Sequence, residues 1–208
     1  SAALLGAPLA LRAQDRFPSK PITLICPWPP GGSSDAVVRA FGESASRVLG
    51  VPVITENRAG VGGTLGATAM VTAKPDGYTV TQLPLGIYRL PHMQKMAFDP
   101  VADLTHIVCL TGYTFGIAAT MDAPFKALKE MVEWSRANPG KLTYGHTGTG
   151  TTPHLAFEEF ALKAGFKTQD VPYKGSAEIM QAILGGHIPV MSGTTEFAPH
   201  VKAGKLRL

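Results

Sequence analysis

Charged residues are scarce in this chain. They make up only 16% of its 208 residues, whereas hydrophobic residues make up 45%. That composition indicates a globular protein and excludes a disordered one, because enough apolar surface is present to form a buried core. The net charge of +4 does not indicate nucleic acid, since the lysines and arginines are scattered and no aromatic side chains alternate with them. We therefore predict no nucleic-acid partner.

Cysteine is also scarce, with only Cys26 and Cys109 present. Two cysteines so far apart define no disulfide framework, and each lies in an apolar segment that we predict to be a buried strand. We favour buried free thiols, and a disulfide is the alternative. A catalytic cysteine would need a neighbouring base, and neither position has a recognisable one.

Long apolar runs are lacking as well. Residues 2–11 are apolar, but they fall well short of the roughly 20 residues that a membrane-spanning helix needs. Together with Leu11-Arg12-Ala13, this run is typical of the second half of a secretory signal peptide that is cleaved after Ala13. We predict that residues 1–13 are the remnant of that signal and that the protein is exported.

Strands and helices are predicted to alternate over the rest of the chain. The hydrophobic pattern predicts a strand at 22–27, a helix at 35–49 and a strand at 51–56, which is a unit typical of parallel sheets. The apolar face of that helix is predicted to consist of Val37, Val38, Phe41, Ala45 and Val48. Further helices are predicted at 64–73, 128–138, 153–164 and 177–184, with strands at 78–83, 106–110, 115–120, 142–145, 169–172 and 188–192. We predict an α/β fold with two modules, 14–110 and 111–208.

Each module contains one turn that is rich in glycine and hydroxyl groups, follows a strand and opens a helix. The two turns are Pro27-Trp28-Pro29-Pro30-Gly31-Gly32-Ser33-Ser34-Asp35 and His146-Thr147-Gly148-Thr149-Gly150-Thr151-Thr152-Pro153. Backbone N–H groups at a helix N-terminus lack intrahelical partners, and the helix dipole favours negative charge there. Because ligands of open α/β sheets bind beyond the carboxyl ends of the strands, we expect the two turns to face each other around an anionic ligand. An ordinary capped strand-to-helix turn is the alternative.

Other motifs are weaker. Gly60-Val61-Gly62-Gly63-Thr64-Leu65-Gly66 resembles a dinucleotide-binding fingerprint, but leucine stands at its third glycine position, so we favour a turn followed by a small-residue helix. The histidines at 146, 154, 187 and 200 match no compact ligand spacing, and we interpret them as surface or capping residues and predict no metal. Asp35 is interpreted as a helix cap, because as a general base it would have no partner acid.

A family resemblance joins these observations. The stretch from Lys20 through Asp35 resembles the beginning of the Bug receptors, which are the periplasmic solute-binding proteins of tripartite tricarboxylate transporters. The resemblance runs from about residue 17 to the end of the chain. Further matching segments are Glu56-Asn57-Arg58-Ala59-Gly60-Val61-Gly62-Gly63, Lys74-Pro75-Asp76-Gly77-Tyr78, Phe98-Asp99-Pro100, Ala137-Asn138-Pro139-Gly140-Lys141-Leu142, Val171-Pro172-Tyr173-Lys174-Gly175-Ser176, Leu184-Gly185-Gly186 and His200-Val201-Lys202-Ala203-Gly204-Lys205-Leu206-Arg207.

The resemblance implies a type II-like periplasmic binding protein with two α/β lobes that close on a small mono- or dicarboxylate. It implies a monomer without cofactor or catalysis, which hands its ligand to integral-membrane transporter subunits. The ligand-binding residues that it implies are Pro29, Pro30, Gly31, Gly32, Ser33, Asp35, Leu85, Gly86, Thr147, Gly148, Thr149, Thr151, Thr152, Tyr173, Lys174, Gly193 and Thr194. Trp28 is added as a pocket wall because it stands beside the glycines of the first turn.

Two departures from the family pattern qualify these expectations. Family members usually continue well beyond residue 208 and return to the first lobe, so we expect a C-terminal truncation and a missing return. Residues 188–190 and 193–195 replace stretches that often contain an acidic residue, which argues against an amino-acid ligand. An exported α/β hydrolase or transferase acting on an acidic substrate, and a ligand-sensing module with the same cleft, are the alternative functions.

Overall fold

A computed structural model describes residues 16–208. The predicted signal remnant at 1–13 lies outside the described residues. Within the part of the chain that is described, no helix is both long and apolar enough to cross a membrane.

The first sheet is parallel and has three strands in the order β2-β1-β3. Its strands are β1 (Ile22–Cys26), β2 (Val53–Asn57) and β3 (Thr79–Thr81). Helix α1 (Ser33–Leu49) connects β1 to β2, and α2 (Thr64–Val71) precedes β3. The predicted parallel strand–helix–strand unit is confirmed.

The buried face of α1 differs from the predicted one. Val38 is buried as expected, but Val48 is 85% exposed and Phe41 is 38% exposed. The helix instead turns Asp35, Val38 and Gly42 inward. Gly42 allows close contact with β2, because a Cβ atom there would lie 3.3 Å from the hydroxyl oxygen of Thr55. The predicted apolar face is therefore correct at Val38 and wrong at Phe41 and Val48, because the helix packs a polar residue and a glycine inward instead.

The segment between the two sheets is mostly irregular. It contains short 3₁₀ helices at Leu85–Tyr88 and Leu90–His92. The predicted strand at 106–110 is wrong, since no described strand pairs with it and its side chains are largely exposed. Cys109 is consequently exposed, not buried as predicted, whereas Cys26 is buried and both thiols are free.

The second sheet has five strands in the order β6-β5-β7-β4-β8. These are β4 (Gly116–Thr120), β5 (Leu142–His146), β6 (Thr168–Pro172), β7 (Val190–Gly193) and β8 (Leu206–Arg207). Strands β5, β6 and β7 are parallel, and β4 runs antiparallel to β7 and β8. The helices are α3 (Leu128–Ala137), α4 (Thr152–Ala164), α5 (Ser176–Leu184) and the unpredicted α6 (Ala198–Lys202).

Hydrophobic clusters cover both faces of the second sheet. Tyr144 and Val190 belong to a cluster with residues of α3 and α4, whereas Met191 belongs to one with residues of α5. Neighbouring residues of a strand point to opposite faces, which explains the division. The second sheet is therefore a buried layer, and its strand ends are free to form a site. The division of the chain at 110/111 stays a prediction.

Candidate functional site

A cavity that is partly open to solvent lies where the two sheets meet, and its empty volume, counted with that open space, is about 620 Å³. Its walls come from the segments after the carboxyl ends of β1, β2, β3, β5, β6 and β7, and from the segment before β4. No side chain of the lining carries a formal charge at neutral pH. The lining residues are Trp28, Pro29, Gly32, Ser33, Ser34, Gly62, Pro84, Leu85, Gly86, Tyr113, Phe115, Thr147, Thr151, Thr152, Pro153, Ser176 and Thr194.

Three α-helices begin in this lining. Helix α1 starts at Ser33, α4 at Thr152 and α5 at Ser176, and all three residues border the cavity. No side-chain cap is present at any of these N-termini, whose N-cap residues are Gly32, Thr151 and Gly175. The first turns therefore keep backbone N–H groups without side-chain partners, and the helix dipoles add a positive potential. An anion can be held there without a lysine or arginine.

Contacts across the cavity connect the two sheets. The hydroxyl oxygens of Ser33 and Thr194 are 2.9 Å apart, and Nη1 of Arg89 donates to the hydroxyl of Thr152 at 2.9 Å. Gly175 packs against Pro29 so closely that a Cβ atom would lie 2.7 Å from the proline Cδ. The glycine thus allows the N-terminus of α5 to approach the first turn.

The turn at 27–32, called here the first loop, is held in place by a hydrogen bond to the side chain of Asp35. This buried carboxylate accepts hydrogen bonds from the N–H of Gly31 at 3.0 Å, from Nε of Arg39 at 3.0 Å and from Nδ2 of Asn57 at 2.7 Å. Burial alone would raise the pKa of Asp35, but the hydrogen bonds from Arg39, Asn57 and Gly31 outweigh it and lower that pKa. Asp35 therefore acts as an ionised anchor of the loop.

The turn at 147–151, called here the second loop, is held by histidines. His146 accepts a hydrogen bond from the N–H of Gly148 at 3.1 Å, and His154 accepts one from the N–H of Gly150 at 3.1 Å. Thr151 donates its hydroxyl to the carbonyl of Gly148 at 2.6 Å and closes the turn. The interpretation of these two histidines as surface or capping residues is wrong, since both bind N–H groups of the turn without capping a helix, and His146 is fully buried.

A metal set is the other chemistry that these histidines suggest. Among the described residues, ligand atoms of His146, His154 and Asp170 lie within 4.8 Å of one another. Both Nδ1 atoms already accept backbone N–H groups, so the neutral rings carry their hydrogens on Nε2, where a metal would need lone pairs. The hydrogen bonding therefore does not fit a metal, and the expectation of no metal stays a prediction.

The predicted ligand-binding residues divide into two groups. Ten of them border the cavity: Trp28, Pro29, Gly32, Ser33, Leu85, Gly86, Thr147, Thr151, Thr152 and Thr194. The others lie outside the lining: Pro30, Gly31, Asp35, Gly148, Thr149, Tyr173, Lys174 and Gly193. Gly31 belongs to the first loop and donates its N–H to Asp35, Gly148 donates its N–H to His146, and Lys174 donates its N–H to Glu178.

Seven lining residues are absent from the predicted ligand-binding set: Ser34, Gly62, Pro84, Tyr113, Phe115, Pro153 and Ser176. Of these, Ser34 and Pro153 belong to the two turns that were predicted to face the ligand. Gly62 and Ser176 belong to glycine-containing turns that had been noted for other reasons. Tyr113 comes from the irregular segment before β4, and its hydroxyl bonds Ser34 at 2.8 Å and Gln82 at 2.5 Å. No local pattern in the sequence indicates that tyrosine.

Comparison with known proteins decides the family. The model of the tripartite tricarboxylate transporter family receptor matches residues 37–208. The chain belongs to this family. A relative from Cupriavidus necator, the UPF0065 protein in the gbd 5' region, is 47% identical over the whole chain and 64% of its own length. Protein BugT of Bordetella pertussis is 30% identical over 93% of the chain and 60% of its own length.

Solved structures agree. The periplasmic binding protein BugD is 28% identical with a TM-score of 0.80, covering 91% of this chain and 64% of BugD. MatC from Rhodopseudomonas palustris, solved with bound malate, is 28% identical with a TM-score of 0.84, covering 92% of this chain and 66% of MatC. Another R. palustris protein, solved with adipate, is 27% identical with a TM-score of 0.85, covering 92% of this chain and 65% of that one.

These matches confirm the two-lobed α/β fold of periplasmic binding proteins. The matched family and the solved structures named above are solute-binding proteins and not enzymes, which argues against the exported enzyme considered from the sequence. The chain spans between 58% and 64% of the length of the curated relatives that it matches.

Proposed function

We propose that this receptor captures a small mono- or dicarboxylate in the periplasm and delivers it to the membrane subunits of a tripartite tricarboxylate transporter. The observation that carries the proposal is the convergence of three α-helix N-termini without side-chain caps on a cavity without charged side chains. Such an arrangement attracts an anion through backbone donors and dipoles.

The chemistry of the walls favours a carboxylate over a phosphate. A doubly charged phosphate is usually met by lysine or arginine, and neither borders this cavity. Trp28, Leu85 and Phe115 supply apolar surface beside the donors, which suits the hydrocarbon part of a small organic acid. Two of the similar structures carry dicarboxylates, adipate and malate.

Neutral donors also favour release. A hydrogen bond between an uncharged donor and a carboxylate is weaker than an ion pair with a buried arginine, so the ligand can leave when the lobes open. A receptor that hands its solute to a transporter needs such reversible binding. Membership of the receptor family supports this role and the periplasmic location.

Titration calorimetry tests the ligand class. The experiment compares malate, adipate and monocarboxylates with inorganic phosphate and a nucleotide. We expect at least one carboxylate to bind. Binding of the nucleotide without binding of any carboxylate would refute the proposal.

Ser176 offers a sharper test of the anion site. Within residues 16–208, the Ser176 hydroxyl forms no hydrogen bond to another residue, so substituting Ser176 breaks no such bond. Ser176→Asp places a carboxylate at the first position of α5, where it competes with the ligand. Two negative charges about 4 Å apart repel by about 4 kcal/mol at an effective dielectric of about 20, so we expect the ligand Kd to rise at least about 100-fold. Ser176→Asn is the matched neutral control, and an equal loss in both variants would exclude a charge effect.

A further inference from the structure

The second loop depends on two ring nitrogens that must stay unprotonated. Nδ1 of His146 accepts the N–H of Gly148, and Nδ1 of His154 accepts the N–H of Gly150. An acceptor nitrogen carries no hydrogen, so each neutral ring has its hydrogen on Nε2. Both glycines have positive φ values, +115° at Gly148 and +80° at Gly150, so the loop adopts a shape that few other residues allow.

One carboxylate faces both Nε2 atoms. Oδ2 of Asp170 lies 3.0 Å from Nε2 of His146 and 3.9 Å from Nε2 of His154. The two rings lie side by side, with centroids 4.4 Å apart. Asp170 thus fixes the tautomer of His146 by accepting its Nε2–H, and it orients the ring whose other nitrogen holds the loop.

The surroundings of the pair contain few other ionisable groups. From β6 it is faced by Asp170, from α4 by Glu158 and from β5 by Tyr144, whose ring centroid lies 5.5 Å from that of His146. Glu158 accepts the hydroxyls of Tyr144 and Thr168, each at 2.8 Å, while β7 contributes no ionisable residue. Burial, with the neighbouring His146, lowers the pKa of His154.

We propose that His146, His154 and Asp170 are positioning residues that hold the second loop in its ligand-binding shape, and that protonation of His154 in mild acid releases this loop and weakens ligand capture. The inference rests on the proposed function, because it assigns the second loop to the ligand site. Thr147 and Thr151 of that loop border the cavity, as do the first residues of α4 that follow it.

The step is a proton transfer from solvent to Nδ1 of His154. An added hydrogen there points at the backbone N–H that the nitrogen had accepted, so two donors face each other and the hydrogen bond is lost. The side chain of Asp170 is 44% exposed, which gives water a route to the edge of the cluster. The first loop has no such dependence, since its Gly31 N–H is accepted by the carboxylate of Asp35.

Nuclear magnetic resonance of the ligand-free protein tests the positioning directly. We expect ¹⁵N spectra near neutral pH to show the Nε2–H tautomer for both histidines. Between about pH 7.5 and about pH 5, the Gly150 amide should shift and lose protection from hydrogen exchange together with titration of His154, while the Gly31 amide stays unchanged. Nδ1–H tautomers, or a Gly150 amide that ignores the titration, would overturn the proposal.

A pair of His154 variants tests the link to binding. In His154→Asn the amide oxygen replaces Nδ1 as an acceptor that does not titrate, and His154→Ala removes the acceptor. For the wild type, the Kd of a carboxylate is expected to rise about fivefold between about pH 7.5 and about pH 5.5, beyond any rise caused by the ligand. The same ratio for His154→Asn gives the contribution of the ligand itself, and identical ratios in both proteins would refute the proposal.

Asp170→Asn provides a second measurement that leaves both histidines unchanged. Its neutral amide still accepts Nε2–H but no longer stabilises an imidazolium, so the pH midpoint of the Gly150 amide change should move to lower pH. An unchanged midpoint would contradict the role of Asp170. If the Gly150 amide responds as expected but no carboxylate binds, the proposed function fails while the positioning of the loop stands.

Discussion

The first and second loops offer the same chemistry to the cavity but rest on opposite supports. Both follow a strand, both lead into an α-helix without a side-chain cap, and both border the cavity. Beneath the first loop lies a carboxylate that must be ionised, and beneath the second lie imidazoles that must be neutral. We therefore expect the two loops to respond differently to acid.

The directions of the pKa shifts indicate the pH range in which the supports of the two loops differ. The pKa of Asp35 is lowered below 3.8 by its hydrogen bonds, so its contribution to stability is present above that value and is lost only in stronger acid. The pKa of His154 is lowered below 6.5 by burial, so its contribution is full above 6.5 and declines as the pH falls below it. Between these values only the second loop loses its support.

Removing the carboxylate of Asp35 should have the largest effect. Asp35→Ala leaves the Gly31 N–H, Arg39 and Asn57 without their shared acceptor, and we expect about 2–4 kcal/mol of lost unfolding free energy in urea titrations. Asp170→Ala should cost only about 1 kcal/mol, because that side chain is 44% exposed. Equal losses would remove the distinction between a buried and a solvated anchor. Asp35→Asn is the control that keeps the shape and removes the charge.

The next largest effect on the unfolding free energy is expected from the hydroxyl of Thr151, which belongs to the second loop. Thr151 is 6% exposed, and its hydroxyl satisfies the Gly148 carbonyl. Thr151→Val keeps the shape and leaves that carbonyl without its donor, so we expect about 1–2 kcal/mol of destabilisation by urea titration. Thr151→Ser is the control that retains the hydroxyl, and a similar loss in both variants would point to the methyl group instead.

Acid titration should separate the two anchors. As the pH falls from about 6.5 to about 5, the wild type should lose unfolding free energy through His154, because burial makes the folded state bind this proton less readily than the unfolded state does. His154→Asn lacks this titration and should show a flatter curve over the same range. Urea midpoints at each pH measure the difference. Parallel curves for the two proteins would show that His154 does not carry the dependence.

Sequence patterns predicted the two loops well because their chemistry is local. Prolines, glycines and hydroxyl residues between an apolar strand and a helix determine the turn wherever the chain goes, and the strand order places both at the carboxyl ends. Even the limits of α1 differ from the prediction by only two residues at its start.

The supports of the loops could not be predicted, because they depend on distant pairings. His146 and Asp170 are 24 residues apart in sequence and meet because β5 and β6 pair in a register that sets Tyr144 opposite Asp170. The spacing of the histidines along the chain does not indicate the contact between His146 and Asp170. The wrong strand at 106–110 has the same cause, since an apolar run becomes a strand only when a neighbouring strand completes its hydrogen bonds.

The smallest predicted effect concerns the hydroxyls around Tyr113. Ser34 follows the first loop at the start of α1, and its hydroxyl bonds that of Tyr113, which also accepts from Gln82. Ser34→Ala removes only one of these contacts and leaves Tyr113 paired with Gln82, so we expect about 0.5 kcal/mol of destabilisation and about a twofold rise in ligand Kd. Tyr113→Phe removes both contacts and should cost more. If Ser34→Ala weakens binding far more than Tyr113→Phe, the Ser34 hydroxyl contacts the ligand directly, and the start of α1 contributes a side chain as well as its backbone to capture.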